Sequence, residues 1–162
     1  MTIATVRGDV DGFAWTGQAA AIAEKQAAGQ TAVMVQDGFD KNFQSHQLLL
    51  TSERVIKEKP DLIAAAVKSL LAAEDRLHAD KNWPALIAAR VRASPEEIAQ
   101  ATADFEFKIE FNKRFIDDLV AQAEWAVSAG LSKRPEGDLR TLLRGLVYED
   151  AVKVARPDRV TI

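Results

Sequence analysis

The stretch PDLIAAAVKSLLAAEDRLH, residues 60–78, decides the fold class. Its larger apolar residues recur mainly at spacings of three and four, which is the period of an amphipathic helix. They are Ile63, Val67, Leu70, Leu71 and Leu77. Asp61, Lys68 and Asp75 repeat every seven residues on the opposite side. This segment is therefore predicted to be a long helix with one face against a core, opened by Pro60 at its first position.

Helix start and stop signals continue on both sides of this segment. Ser52 or Thr51 can cap a short helix that runs through Glu58 and ends before Pro60. Ser94-Pro95-Glu96-Glu97 has the pattern of a capping box, in which the serine hydroxyl and the second glutamate satisfy each other's backbone amides. Further helices are predicted at 17–28, 112–129, 138–144 and 147–155, with Gly29 and Gly130 as stops.

Three short segments favour extended structure instead. Thr31–Gln36 is apolar and β-branched and leads into Asp37-Gly38, and Gln47–Thr51 is similarly short and apolar. Residues 105–111 alternate between apolar and charged side chains with a period of two, which predicts a strand or an extended segment with one aromatic face. The fold class is thus predicted to be α/β, predominantly helical with a few short strands.

Composition excludes several functional classes. The 162 residues include 21 Lys and Arg against 24 Asp and Glu, a net charge of -3, so no overall positive field attracts nucleic acid or anionic lipid. The absence of cysteine removes disulfides, thiolate metal sites and thiol nucleophiles. Apolar runs are too short for direct membrane insertion. No phosphate-binding, dinucleotide-binding or nucleophile-elbow motif is present, so no enzyme class is indicated.

Two histidines, His46 and His78, are the only candidates for imidazole chemistry. Neither has a second ligand at i+3 or i+4, so no metal site is predicted. His78 falls at a helix end, where solvated histidines are common. His46 precedes an apolar strand-like segment, where ligand-facing side chains often emerge, although an ordinary loop histidine also fits this position.

The segment DGFAWTGQ, residues 11–18, places two aromatic rings and a hydroxyl directly before a predicted helix. The free amides of a helix N-terminus can bind an anionic group such as a sulfonate, nitrate or carboxylate, while an aromatic ring excludes water. The alternative is that Phe13 and Trp15 anchor a core and that Thr16 is only the N-cap. The sequence leaves both interpretations open.

The order of these segments resembles the later half of the nitrate/sulfonate/taurine-type substrate-binding proteins of ABC importers, whose thiamine-pyrimidine-binding relatives are similar. The matching positions are Gly8, Val10, Asp11, Trp15, Leu48 to Leu50, Glu53, Ile56, Pro60, Asp61, Leu62 and the helix to Leu77, followed by the capping box at Ser94 and the helix end at Ala129-Gly130-Leu131. Gly12 replaces the family's usual alanine, and Thr16-Gly17 replaces its Glu-Pro. These departures alter the loop that would face the ligand.

The resemblance implies part of a type II periplasmic binding protein lobe, a periplasmic location and a non-enzymatic role without a cofactor. It implies that a small organic anion or related solute is delivered to an ABC permease. The expected ligand-binding residues are Asp11, Phe13, Trp15, Thr16 and His46. An export signal is not evident in Met1 to Asp11, so a cytoplasmic location also stays open.

The resemblance further implies that residues 1–44 correspond to a remnant of the second lobe and hinge, and residues 45–162 to the C-terminal portion of the first lobe. One copy would then lack half of the clamp, so we expect a homodimer that covers its apolar faces. Two alternatives remain: a non-binding oligomerising interaction protein on the same scaffold, and, more remotely, an enzyme of thiamine-pyrimidine biosynthesis.

Overall fold

The computed structural model describes residues 2–14, 23–27, 29, 45–91, 93–103 and 105–162, which are predominantly helical. The labelled α-helices are α1 (Thr2–Arg7), α2 (Glu53–Glu58), α3 (Pro60–Ala79), α4 (Trp83–Val91), α5 (Pro95–Ala101), α6 (Lys113–Ser128), α7 (Leu139–Gly145) and α8 (Asp150–Ala155). A 3₁₀ turn, Pro157–Arg159, follows the last of these. The helical part of the predicted fold class is thereby confirmed.

The helix starts follow local capping chemistry. Ser52 accepts a hydrogen bond from the backbone amide of Val55 at the start of α2. Ser94 and Glu97 form the predicted capping box at α5. Asp138 caps α7 through the amide of Thr141. Each cap satisfies a backbone donor that the first helical turn leaves without an intrahelical partner.

Two of the predicted strands require correction or qualification. Gln47–Thr51 is neither helix nor strand, and Leu48, Leu49 and Leu50 are 50%, 62% and 83% exposed. Residues 105–110 are also neither helix nor strand, and the only β pairing among the described residues is a parallel bridge between Phe111 and Val160. A strand forms only when a neighbouring segment pairs with its backbone hydrogen-bonding groups. The sequence of Gln47–Thr51 or of residues 105–110 does not by itself provide that neighbour. The third predicted strand, Thr31–Gln36, lies outside the described residues.

The chain divides into two compact units, of which the first comprises residues 1–38 and 81–106. It contains α1, helical residues 23–27, and the packed pair α4 and α5. The buried apolar residues described in this unit include three alanines, Ala23, Ala27 and Ala88, and the larger Ile98. Lys25 pairs with Glu97 at 3.0 Å. Gly29 has a φ of 84°, as suits the glycine predicted to end helix 17–28.

The second unit comprises residues 39–80 and 107–162. Here α3 packs against α2 and α8, and α6 packs against α7. The core contains Ile63, Val67, Leu71, Ala151 and Val152, with half-buried side chains of the 107–111 segment and of Val160 packed on it. The predicted amphipathic face of α3 is therefore the face that forms this core. The predicted assignment of residues 1–44 and 45–162 to two lobes stays a prediction.

Candidate functional site

His46 is fixed in the second unit by two contacts. Its Nε2 lies 2.9 Å from Oδ2 of Asp118, and both side chains are about one-fifth exposed, at 22% and 20%. The ring also meets Phe115 edge-on, with centroids 5.2 Å apart and an interplanar angle of 80°. We call His46, Asp118 and Phe115 the His46 cluster. A half-buried imidazole held in this way is oriented before any ligand arrives.

Helix α6 supplies both partners of His46. Phe115 and Asp118 are three residues apart, so they lie on one side of the helix. Asn112 starts this helix by accepting a hydrogen bond from the amide of Phe115 at 2.9 Å. Phe111 packs on Phe115 with centroids 5.8 Å apart. The cap and the aromatic contact together set the position of the cluster.

The hydrogen bond to Asp118 decides which nitrogen of His46 is available to a ligand. An ionised carboxylate only accepts hydrogen bonds, so Nε2 carries the proton and donates. The other ring nitrogen, Nδ1, then accepts a hydrogen bond when the imidazole is neutral and donates one when it is protonated. His46 can therefore bind a donor group of a solute in one state and an anionic group in the other.

The carboxylates of the His46 cluster and of its neighbour on α6 are paired with basic side chains. Arg114 lies 3.5 Å from the same Asp118 carboxylate oxygen. The neighbouring Asp117 is bound by Arg140 and by Lys113, which hold the pKa of that carboxyl below its usual range. Arg140 also acts on the neighbouring Asp138, so three basic side chains stand against three carboxylates and the local charges balance before His46 is protonated. A protonated His46 would add the positive charge that favours an anionic ligand.

The other predicted site residues lie elsewhere in the chain. Asp11 is exposed and Phe13 is half-buried, both in the non-helical segment that follows α1. They belong to the first unit, whereas His46 belongs to the second. Trp15 and Thr16 lie outside the described residues, as does the start of the helix predicted after them. The predicted anion site at that helix start therefore stays a prediction.

Sequence reasoning missed a second polar cluster, centred on Glu74. This side chain is buried at 4% exposure on the core face of α3. Its Oε1 accepts from Nη2 of Arg159 at 3.0 Å, and its Oε2 accepts from the backbone amide of Ile109 at 2.6 Å. The sequence did contain one signal, because Glu74 lies three residues after Leu71, at the spacing of the buried apolar residues of α3. The cluster joins three segments of the second unit.

No described arrangement indicates a metal or a membrane span. Within the described ranges, no group of three or more His, Asp or Glu side chains could hold a metal ion. No helix among the same residues combines the length and apolar character needed to cross a bilayer.

Comparisons with protein-family models, with curated proteins and with solved structures found no match to this chain.

Proposed function

We propose that this chain is a non-enzymatic solute-binding component of an ABC importer, built on part of a type II periplasmic binding protein lobe. Its ligand is a small organic or inorganic anion such as a sulfonate or nitrate, and its place of action is the periplasm. The order of helices supports the proposal. A short helix after Ser52, a long helix from Pro60, a capped helix from Ser94 and a helix ending before Gly130 follow one another as in the resembling family.

The observation that carries the proposal is the orientation of His46. This residue directly precedes the leucine segment that corresponds to the crossover between lobes. Asp118 and Phe115 fix the ring, and the Asp118 carboxylate is shared with Arg114. A protonated Nδ1 would donate a charge-assisted hydrogen bond to an anion, which is about twice as strong as a neutral one.

The test is calorimetric titration of the full chain with nitrate, taurine and a short alkanesulfonate. We expect saturable binding of at least one of them, and His46→Ala should weaken it by about tenfold or more, because a hydrogen bond to a charged group contributes about 1.5–3 kcal/mol. His78→Ala is the matched control, since His78 bonds to the backbone carbonyl of Phe107 instead. An affinity equally reduced in both variants, or no binding to any solute, would refute the proposal.

A second candidate is an oligomerising interaction protein on the same scaffold. The observation in its favour is the number of large apolar side chains left exposed, including Leu49, Leu50, Leu146 and Val154 at 62%, 83%, 80% and 87%. Exposed apolar side chains that lie together on a surface commonly mark a protein interface. This candidate is favoured if the chain self-associates and no solute binds.

A further inference from the structure

The 157–162 segment forms the only β pairing among the residues that the structure describes, and its partner is Phe111. The backbone amide of Phe111 donates to the carbonyl oxygen of Arg159, and the amide of Thr161 donates to the carbonyl oxygen of Phe111, each at 2.8 Å. These two bonds make the parallel bridge between Phe111 and Val160. Both backbone polar groups of Phe111 are therefore satisfied by one neighbouring segment.

Side chains also hold the 157–162 segment in place. Arg159 bonds to the buried Glu74 of α3 at 3.0 Å, and the side chain of Val160 packs on the core of the second unit. After the 3₁₀ turn, residues 160–162 belong to no helix, so their position depends on these contacts with neighbouring elements. Such a segment has a docked and an undocked state, and undocking costs less free energy than unfolding of the whole chain.

Phe111 connects this segment to the His46 cluster. The ring of Phe111 packs on that of Phe115 with centroids 5.8 Å apart, and the ring of Phe115 meets His46 with centroids 5.2 Å apart. Phe111 also directly precedes Asn112, whose side chain caps α6 through the amide of Phe115. A displacement of the Phe111 backbone therefore changes the ring contact on Phe115 and the first turn of the helix that carries Asp118.

We propose that docking of the 157–162 segment positions the imidazole of His46 and thereby regulates the site that would hold the solute. The docked segment fixes Phe111, and Phe111 in turn fixes Phe115 and the start of α6. Undocking breaks both backbone bonds of Phe111, so the imidazole loses its fixed orientation. The regulatory part of this inference rests on the proposed function, whereas the positioning of the ring does not and is measured without solute.

The variant Thr161→Pro tests the proposal at the backbone. Proline has no amide hydrogen, so this variant loses the bond to the carbonyl oxygen of Phe111. The preceding residue, Val160, has a φ of -123° and a ψ of 99°, an extended backbone that suits a residue before proline. Thr161→Ala is the matched control, because it removes the same side chain and keeps the amide.

Two NMR measurements are made on each variant without solute. Hydrogen exchange of the Phe111 amide reports undocking, and it should be about two- to tenfold faster in Thr161→Pro, because one hydrogen bond of the docked state is lost. The carbon-bound ring protons of His46 report the position of the imidazole against the ring of Phe115. Their chemical shifts should move in Thr161→Pro and stay in place in Thr161→Ala. A segment that only stabilised the fold would lower the unfolding midpoint and leave these native-state shifts unchanged.

Two results would overturn the proposal. One is a set of His46 shifts that keep their wild-type values in Thr161→Pro while the Phe111 amide exchanges faster. The other is an equal movement of the shifts in Thr161→Ala. If circular dichroism shows that Thr161→Pro has lost helix content, Val160→Ala replaces it, with Val154→Ala on α8 as the control because Val154 is 87% exposed. The His46 shifts should then move in Val160→Ala alone, and unchanged shifts would again overturn the proposal.

A solute titration separates this inference from the proposed function. If His46 shifts respond to Thr161→Pro but no solute binds, the positioning of the ring holds and the proposed function fails. If nitrate or a sulfonate binds, the coupling is reciprocal, so saturation with that solute should slow exchange of the Phe111 amide by about twofold or more. An exchange rate that is the same with and without bound solute would overturn the regulatory part.

Discussion

Glu74→Gln is the substitution that most directly tests how the second unit is held together. Glutamine keeps the volume of the side chain but removes its negative charge. In wild type the carboxylate bonds to the guanidinium of Arg159 at 3.0 Å and to the backbone amide of Ile109 at 2.6 Å. The glutamine carbonyl can keep only one of these bonds, and the amide group that replaces the other oxygen is a donor facing a donor.

The expected loss follows from burial. Removing one partner of a buried ion pair costs about 3–5 kcal/mol when the other charge is left without compensation. The Arg159 side chain is 19% exposed and its Nε also lies 3.7 Å from Asp158, whereas the Glu74 side chain is only 3% exposed. The neutral hydrogen bond that glutamine keeps reduces the loss further, so we expect Glu74→Gln to lower the free energy of unfolding by about 2–3 kcal/mol.

Urea unfolding followed by circular dichroism measures this difference from the midpoint at constant slope. Asp75→Asn is the control, because Asp75 is the neighbouring residue and its side chain is 56% exposed in its pair with Arg156. Its effect should be clearly smaller. Replacing Glu74 and Arg159 together by methionine should recover part of the loss, since neither charge is then left alone, but the amide of Ile109 still lacks its acceptor. A loss below about 0.5 kcal/mol in Glu74→Gln, the range of an ordinary surface change, would refute this reasoning.

Three further predictions concern helix ends. Asn112→Ala should lower the free energy of unfolding by about 1 kcal/mol in urea titrations, because α6 loses its cap, while Asn112→Ser should keep most of it because serine also caps helices and does not place a charge against Glu110. Thr141 holds the pKa of Asp138 below its usual range, first through its hydroxyl and then through its amide. The ionised carboxylate therefore stabilises the fold at pH values above its unfolded pKa, and this contribution is lost as the pH falls through the lower folded pKa. In thermal melts between about pH 5 and pH 2, Asp138→Asn should make the melting temperature depend less on pH. An unchanged dependence would contradict the assignment. Gly130→Ala should destabilise by about 1 kcal/mol because φ is 71°. Gly145→Ala at the last residue of α7, where φ is not positive, should be neutral or stabilise by up to about 0.5 kcal/mol; equal effects of the two would be inconsistent with the backbone argument.

Local signals predicted most of the helices in the second unit. The caps at Ser52 and Asp138 and the proline at Pro60 act within one turn, so the sequence alone reveals them. Helices α1 and α4 were missed. The sequence of α1, TIATVR, is rich in β-branched residues and has low helix propensity. For α4, Pro84 in the first turn was the available start signal.

Features that depend on distant partners could not be predicted in the same way. The segment Gln47–Thr51 has the composition of a strand, but only a neighbouring strand could have made it one. His46 was predicted as a site residue from its position, yet its partner Asp118 is 72 residues away. No local pattern connects them. The buried pair of Glu74 and Arg159 spans 85 residues and was missed for the same reason.

The most direct measurement of the central claim is nitrogen-15 NMR of the two imidazole rings during titration with nitrate or a sulfonate. Only two histidines are present, so their ring signals can be assigned with one variant of each. If His46 receives the solute, its Nδ1 resonance moves along a saturable curve, and the signals of His78 stay in place. Rings that both remain unchanged at saturating solute, or that move equally, would contradict the account.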